Sequence, residues 1–178
     1  MLSMREIQIS RGLKVKVDDE DFALVTKRHE RSGVRRWTAV MARCGSFYAM
    51  SRRPKEAGGQ MSSMAREILG LSVDDKREVD HINGDTLDNR RANLRVVTKE
   101  QNNMNRRKRK GCSSKYKGVS LDRDHGRALW KAYIGGKSTG GKRIILGRFK
   151  KERDAALAYN EAAKELFGQY AKLNVVPD

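Results

Sequence analysis

The chain has 178 residues, of which 38% are hydrophobic and only 6% aromatic, while 34% are charged with a net charge of +17. That composition excludes one large apolar core and favours two or three small modules, and so strong a basic balance points to a polyanionic partner. Cys44 and Cys112 are the only cysteines and sit in no Cys-x-x-Cys pair, which excludes a disulfide framework and zinc-finger spacing.

The distribution of charge says more than its total. Residues 1–58 hold 13 Lys/Arg against 7 Asp/Glu, residues 59–105 hold 7 against 8, and residues 106–178 hold 19 against 7. A nearly neutral centre therefore lies between two basic flanks. The opening stretch is polar and charged rather than a signal peptide, and no apolar run approaches membrane-spanning length. A reducing, cytoplasmic setting without membrane contact is the expectation.

In chain order, residues 4–24 read as two strands around a turn at Gly12, followed by an acidic turn, Asp18-Asp19-Glu20-Asp21. Phe22 to Val25 reads as a short helix or strand packed on them. Residues 37–41 and 46–52 alternate about Cys44-Gly45 and predict a β-hairpin. A loop containing Pro54, Gly58 and Gly59 leads to a predicted helix over 61–69, with Met61, Met64, Ile68 and Leu69 at helical spacing. Residues 1–58 are thus expected to form a small β-rich module, serving either as a packing platform or as a contact surface.

Residues 79–105 are the most informative stretch. Val79 to Ile82 and Leu94 to Val97 are short β-branched runs that predict two strands. Thr98-Lys99-Glu100-Gln101 is a capping box, in which Thr98 takes the Gln101 amide proton and Gln101 reaches back. Strand, irregular loop, strand, helix is a ββα unit, expected to occupy residues 59–105. Asp80 and His81 fall on its first strand, and Asn102 and Asn105 on its helix. A carboxylate and an amide oxygen are hard ligands suited to magnesium or manganese. An imidazole beside them takes a proton near neutral pH, and a helix N-terminus favours phosphate. Metal, base and phosphate site together suggest phosphodiester hydrolysis.

Asp80-His81, Asn93 and Asn102, within the phrase Val79-Asp80-His81-Ile82-Asn83-Gly84-Asp85 and the later Asn93-Leu94-Arg95, resemble the HNH (ββα-metal) nucleases of phage and intron homing endonucleases. The resemblance implies that His81 is the general base and that Asp80 with Asn102 binds one divalent metal ion, Mg2+ or Mn2+. It also implies that Asn93 steadies the loop and the His81 ring. Asn103 and Asn105 are expected to face solvent or phosphate.

Arg106, Arg107, Lys108, Arg109 and Lys110 then form five consecutive basic residues, read as a linker over 106–111 that lies along DNA phosphates. Beyond it, over residues 112–178, Tyr116 to Val119, Trp130 to Ile134 and Arg143 to Gly147 predict three strands, turned at Asp124-His125-Gly126 and at 135–141. Residues 151–167 predict an amphipathic helix with Ala155, Ala158, Tyr159, Ala162 and Leu166 on one face, ended by Gly168. The expected fold class is therefore α+β: a small N-terminal β module, the ββα unit, and a three-stranded antiparallel sheet on one helix.

The phrases Tyr116-Lys117-Gly118-Val119, Leu146-Gly147-Arg148-Phe149, Ala155-Ala156-Leu157-Ala158-Tyr159 and Ala171-Lys172-Leu173-Asn174 resemble the plant Apetala/ethylene-response-factor DNA-binding domain. That resemblance implies a sheet whose free face enters the major groove of double-stranded DNA. Lys117, Tyr133, Arg143, Ile145 and Arg148 are the contacts it suggests, whereas Trp130 is expected on the helix side. Ser120, Asp122 and Gly135 stand where plant domains usually carry arginines, so their target sequence does not transfer. The whole chain then reads as a site-specific DNA endonuclease that leaves a 5′-phosphate, each site cutting one strand as a monomer or within a dimer. The alternatives are a DNA-binding regulator carrying an inactive nuclease remnant and, on charge alone, an RNA-binding protein.

Overall fold

Alternation in the first twenty residues sets up a hairpin. Strands β1 (Met4–Gln8) and β2 (Lys14–Asp18) pair antiparallel, from Met4 opposite Asp18 to Gln8 opposite Lys14. Between them Arg11 and Gly12 take positive φ, which closes the turn. Val15 and Val17 point inward and are fully buried, while Lys14 between the turn and the core stays exposed. The computed structural model describes residues 3–29, 33–34, 36–52, 59–72, 74–108, 111–124, 127–136 and 141–177. Among these, the fold is mixed α/β, with small antiparallel sheets and four α-helices.

The acidic run is not a turn but the start of helix α1 (Asp19–Thr26). Asp19, Glu20 and Asp21 occupy its first turn, where the unpaired backbone N–H groups favour negative charge. The short pair β3 (Arg28–His29) and β4 (Gly33–Val34) follows. Strands β5 (Thr38–Met41) and β6 (Phe47–Arg52) form the expected hairpin. The loop at Pro54 and Gly58 lies outside the described residues.

The helix expected over 61–69 is shorter than its spacing suggested. Met61–Ser63 is instead strand β7, paired on β6, and helix α2 runs only from Met64 to Ile68. Ser63 is the reason: its hydroxyl accepts the Arg66 amide and starts the helix there. Met64 and Ile68 enter the core, but Met61 is 46% exposed. Strands β8 (Glu78–His81) and β9 (Leu94–Val97) pair next, with His81 opposite Leu94. One apolar cluster runs from Ile9, Val15 and Val17 through Val25, Trp37 and Ala49 to Met64, Ile68 and Leu94. The sequence placed a boundary at 58/59, inside this cluster.

The chain divides into two compact units, Met1–Val97 and Thr98–Asp178. The second begins with helix α3 (Lys99–Asn105), which carries both hydrogen bonds of the expected capping box at Thr98. Strands β10 (Val119–Asp124), β11 (Arg127–Gly135) and β12 (Arg143–Phe149) form an antiparallel sheet in that order, and helix α4 (Glu152–Phe167) packs on one face of it. The turn residues His125, Gly126 and 137–140 lie outside the described residues.

The buried side of α4 is Ala155, Ala156, Tyr159, Asn160, Ala163 and Phe167, whereas Leu166 is 49% exposed. The predicted face was thus rotated. Alanines at five of the candidate positions give no size signal, and Asn160 turns inward because it exchanges two hydrogen bonds with Asn174. Asn174 in turn bonds both backbone groups of Lys117, fastening the tail to the start of the sheet. Trp130 packs on the helix side with Tyr116, Val119 and Ala155. No helix among the described residues is long and apolar enough to cross a membrane.

Candidate active site and nucleic-acid interface

In the first unit, the end of β8 brings Asp80 and His81 into the interior, 6% and 5% exposed. Asp80 lies opposite Arg95 on β9, and the Arg95 guanidinium donates to Asp80 Oδ2 from Nε and Nη2, at 2.9 and 2.7 Å. Asp80 is therefore a buried carboxylate paired with a guanidinium. The His81 ring meets Asn89 through Nε2 and Oδ1 at 3.1 Å. With that carbonyl accepting, Nε2 carries the proton and Nδ1 is the basic nitrogen. Burial pushes the His81 pKa below 6.5, outweighing the Asn89 bond and the carboxylates of Asp80, Asp85 and Asp88. Burial thus favours the neutral form of the imidazole.

The loop between β8 and β9 is braced at many points. The Gly84 amide bonds the His81 carbonyl at 2.8 Å, with Gly84 at positive φ. Asn83 Oδ1 accepts the Asp85 amide, and Asp85 Oδ1 accepts that of Leu87. Asn93, 8% exposed, ties the two ends together: its Oδ1 accepts the Asn83 amide at 2.9 Å and its Nδ2 donates to the Asp88 carbonyl at 2.7 Å. Asp88 is buried, and the paired Arg90 guanidinium holds its carboxyl below the usual range.

The N-terminal strands complete the frame. Lys16 on β2 donates its amide to Leu87 and accepts that of Asn89, so the loop pairs with the hairpin edge. The Arg91 amide donates to Asp18, and its guanidinium reaches Asp21 at 2.9 and 2.7 Å and the Ile68 carbonyl at 2.9 Å. The acidic run of α1 therefore anchors the loop. Asn89 escaped the sequence reading because an asparagine between Asp88 and Arg90 reads as an ordinary turn residue. Its burial, 2% exposed, is set by the distant contact with Lys16.

The donor chemistry here suits a hard cation. Among the described residues no group of three His, Cys, Asp or Glu is arranged to hold a metal ion. One carboxylate completed by waters and substrate phosphate is a common way to hold magnesium, and Asp80 is the buried carboxylate here, its Oδ2 paired with Arg95.

In the second unit, Asn102 lies half-buried on α3, and Asn105, expected at the surface, is buried. Arg106 and Arg107 are exposed and Lys108 half-buried, while Arg109 and Lys110 lie outside the described residues. Arg106, Arg107, Lys108, Lys117 and Arg143 line a cleft whose described lining includes no carboxylate. The sheet face turned away from α4 carries Tyr133, Arg143, Ile145 and Arg148. The Arg143 guanidinium stands 4.8 Å from the Tyr133 ring centre, and Ile145 is 60% exposed opposite Tyr133. Lys117 differs from these. It is half-buried, and its ammonium donates to the Met104 carbonyl of α3.

Burial, reinforced by Lys172 and Arg106, pushes the Lys117 pKa down to about 8. Unfolded, the group would titrate near 10.4, so between about pH 8 and 10.4 the unfolded chain binds more protons and stability rises with pH. Wild type is expected to gain stability from pH 8 to 10, and Lys117→Met to gain less. Equal pH profiles in urea unfolding would contradict the burial of this charge.

Comparison with known proteins accords with this division of features. Residues 66–104 match the family described as HNH endonuclease. An uncharacterized HNH endonuclease of Acanthamoeba polyphaga mimivirus is 35% identical over 98 residues, 55% of this chain and 47% of the relative. Dehydration-responsive element-binding protein 2C of Arabidopsis thaliana is 56% identical over 36 residues, 20% of this chain and 11% of the relative. Its counterpart 2D is 39% identical over 89 residues, 44% of this chain and 41% of the relative. The chain spans less than half the length of each of these relatives. No solved structure matches it. The expected pairing of an HNH nuclease segment with an ethylene-response-factor-like DNA-binding segment is borne out, and a nuclease is supported at the level of the family.

Proposed function

We propose that the chain is a metal-dependent, site-specific DNA endonuclease of the homing type, cutting one strand per active site. The observation that carries this reading is the buried Asp80-His81 pair, with the imidazole favoured in its neutral form and oriented inside a braced loop. His81 Nδ1 takes a proton from water as the water oxygen forms a bond to phosphorus. The bond to the 3′-oxygen breaks in line, that oxygen is protonated, and the 5′ side keeps the phosphate. Asp80, with Asn102 carried over from the HNH resemblance, would hold one Mg2+ or Mn2+. Such an ion, when bound, neutralises charge on the phosphate and steadies the leaving oxygen. Asn93 fixes the loop, and Asn89 fixes the ring.

Arg106, Arg107 and Lys108, with Arg109 and Lys110 by sequence, supply phosphate contacts, which position the protein without specifying sequence. Tyr133, Arg143, Ile145 and Arg148 supply base contacts in the major groove of double-stranded DNA. Lys117, bonded to α3, supports that surface from its edge.

The nicked product should be sealed directly by a DNA ligase, since a 5′-phosphate faces a 3′-hydroxyl; nicks sealed only after kinase treatment would contradict the proposed bond cleavage. Asn89→Ala is expected to slow cleavage roughly 10- to 100-fold by letting the base drift, with DNA affinity unchanged. Single-turnover rates beside binding isotherms check this, and an undiminished rate would remove Asn89 from the positioning role.

A further inference from the structure

Among its described side chains, the free sheet face sets the carboxylate of Asp122 between cations. Asp122 on β10 shares that face with Ser120, since Val119 between the sheet and α4 is buried. On β11, Lys131 lies opposite Ser120 and so is a diagonal neighbour of Asp122. On β12, Arg148 lies opposite Lys131. Both cations converge on one oxygen. Lys131 Nζ is 3.2 Å and Arg148 Nε is 3.0 Å from Asp122 Oδ2, and the Asp122 side chain is 19% exposed against 50% for Arg148. Arg148 therefore reaches back across the central strand to the carboxylate.

This arrangement does two things. It removes charge from a face that would otherwise attract any phosphate, so non-specific attraction is weaker there. It also engages Arg148 through Nε and leaves both terminal nitrogens of the guanidinium fork for another partner, with fewer rotamers to lose on binding. A planar fork fixed on a surface that meets base edges is suited to the paired O6 and N7 acceptors of guanine.

We propose that Asp122 is a specificity-determining residue that buttresses Arg148 as a guanine reader. The proposal rests on the sheet face meeting the major groove, as argued above. Arg148 makes the base contact, and Asp122 acts through it as a positioning residue.

The test is selection of preferred duplexes from a randomised pool by the full chain, comparing wild type with Asp122→Asn, Asp122→Ala and Arg148→Met. Wild type should enrich a guanine at one position. Each variant should lose that preference by roughly tenfold or more at the same position, the scale of one good bidentate contact. Asp122→Ala should meanwhile bind random DNA as well as or better than wild type, and its salt dependence should steepen by about one counterion. A merely structural role would lower affinity for all sequences together and leave the base preference in place. If wild type selects sequences and Asp122→Ala retains the full preference, the buttress is refuted while the DNA-reading face stands. Wild type that enriches no sequence would overturn both.

Discussion

Replacing His81 with alanine is expected to lower DNA cleavage by roughly 10^2- to 10^4-fold, the usual contribution of a positioned general base. Affinity for DNA should stay near that of wild type. The separation follows from where the groups lie. His81 is 5% exposed at the end of β8, beneath a loop braced by Asn93, Asp88 and Arg91, and adds no exposed charge. The exposed cations are on other elements, among them Arg106, Arg143 and Arg148. Loss of the ring also removes the His81 Nε2 contact of the buried Asn89 Oδ1, at a cost of roughly 1–3 kcal/mol in stability. Thermal unfolding should therefore be measured beside the rates. Cleavage retained within tenfold of wild type would show that another group takes the proton.

The second large effect is structural. Gly118 adopts φ +73°, and a Cβ there would lie 2.0 Å from Tyr159 Cδ2 and 2.6 Å from the Tyr133 carbonyl oxygen. Neither can retreat easily. Tyr159 is 2% exposed within the cluster of Ile134, Ala163 and Phe167, and Tyr133 is tied by its amide to the Gly118 carbonyl at 2.8 Å. Overpacking together with a left-handed backbone at alanine should cost roughly 2–4 kcal/mol. Against a typical stability of about 5–15 kcal/mol this is a large fraction. Gly118→Ala is expected to unfold the sheet and α4 well below the wild-type midpoint and to lose tight DNA binding. Hydrogen exchange should show β10 to β12 deprotected, with the β8–β9 pair close to wild type. A midpoint within a degree or two of wild type would mean that the sheet tolerates a shift at this crossing.

What could be read in advance follows the range of the forces involved. The β5–β6 hairpin, the β8–β9 pair and the capping box at Thr98 depend on neighbours within a few residues, and their signals are in the sequence. The acidic run 18–21 misled because carboxylates favour both turns and helix starts. What decides between them is Arg91, some 70 residues away, whose amide and guanidinium meet Asp18 and Asp21. Asn89 was hidden for the same reason, since its burial is set by the distant backbone contact with Lys16. The α4 face was rotated because alanines on several sides left Phe167 and the Asn160–Asn174 bonds to set the register. Pattern alone singles out Asp80 and His81 as candidates, but the Arg95 guanidinium on Asp80 follows only from the strand register.

The most direct test of the central claim is a supercoiled-plasmid assay with the full chain, in Mg2+ or Mn2+ and with a chelator. Conversion to the nicked form with either ion, and none with chelator, is the predicted result. Tight, salt-sensitive DNA binding with no cleavage under any ion would contradict a nuclease and favour a DNA-binding regulator that carries Asp80 and His81 as relics.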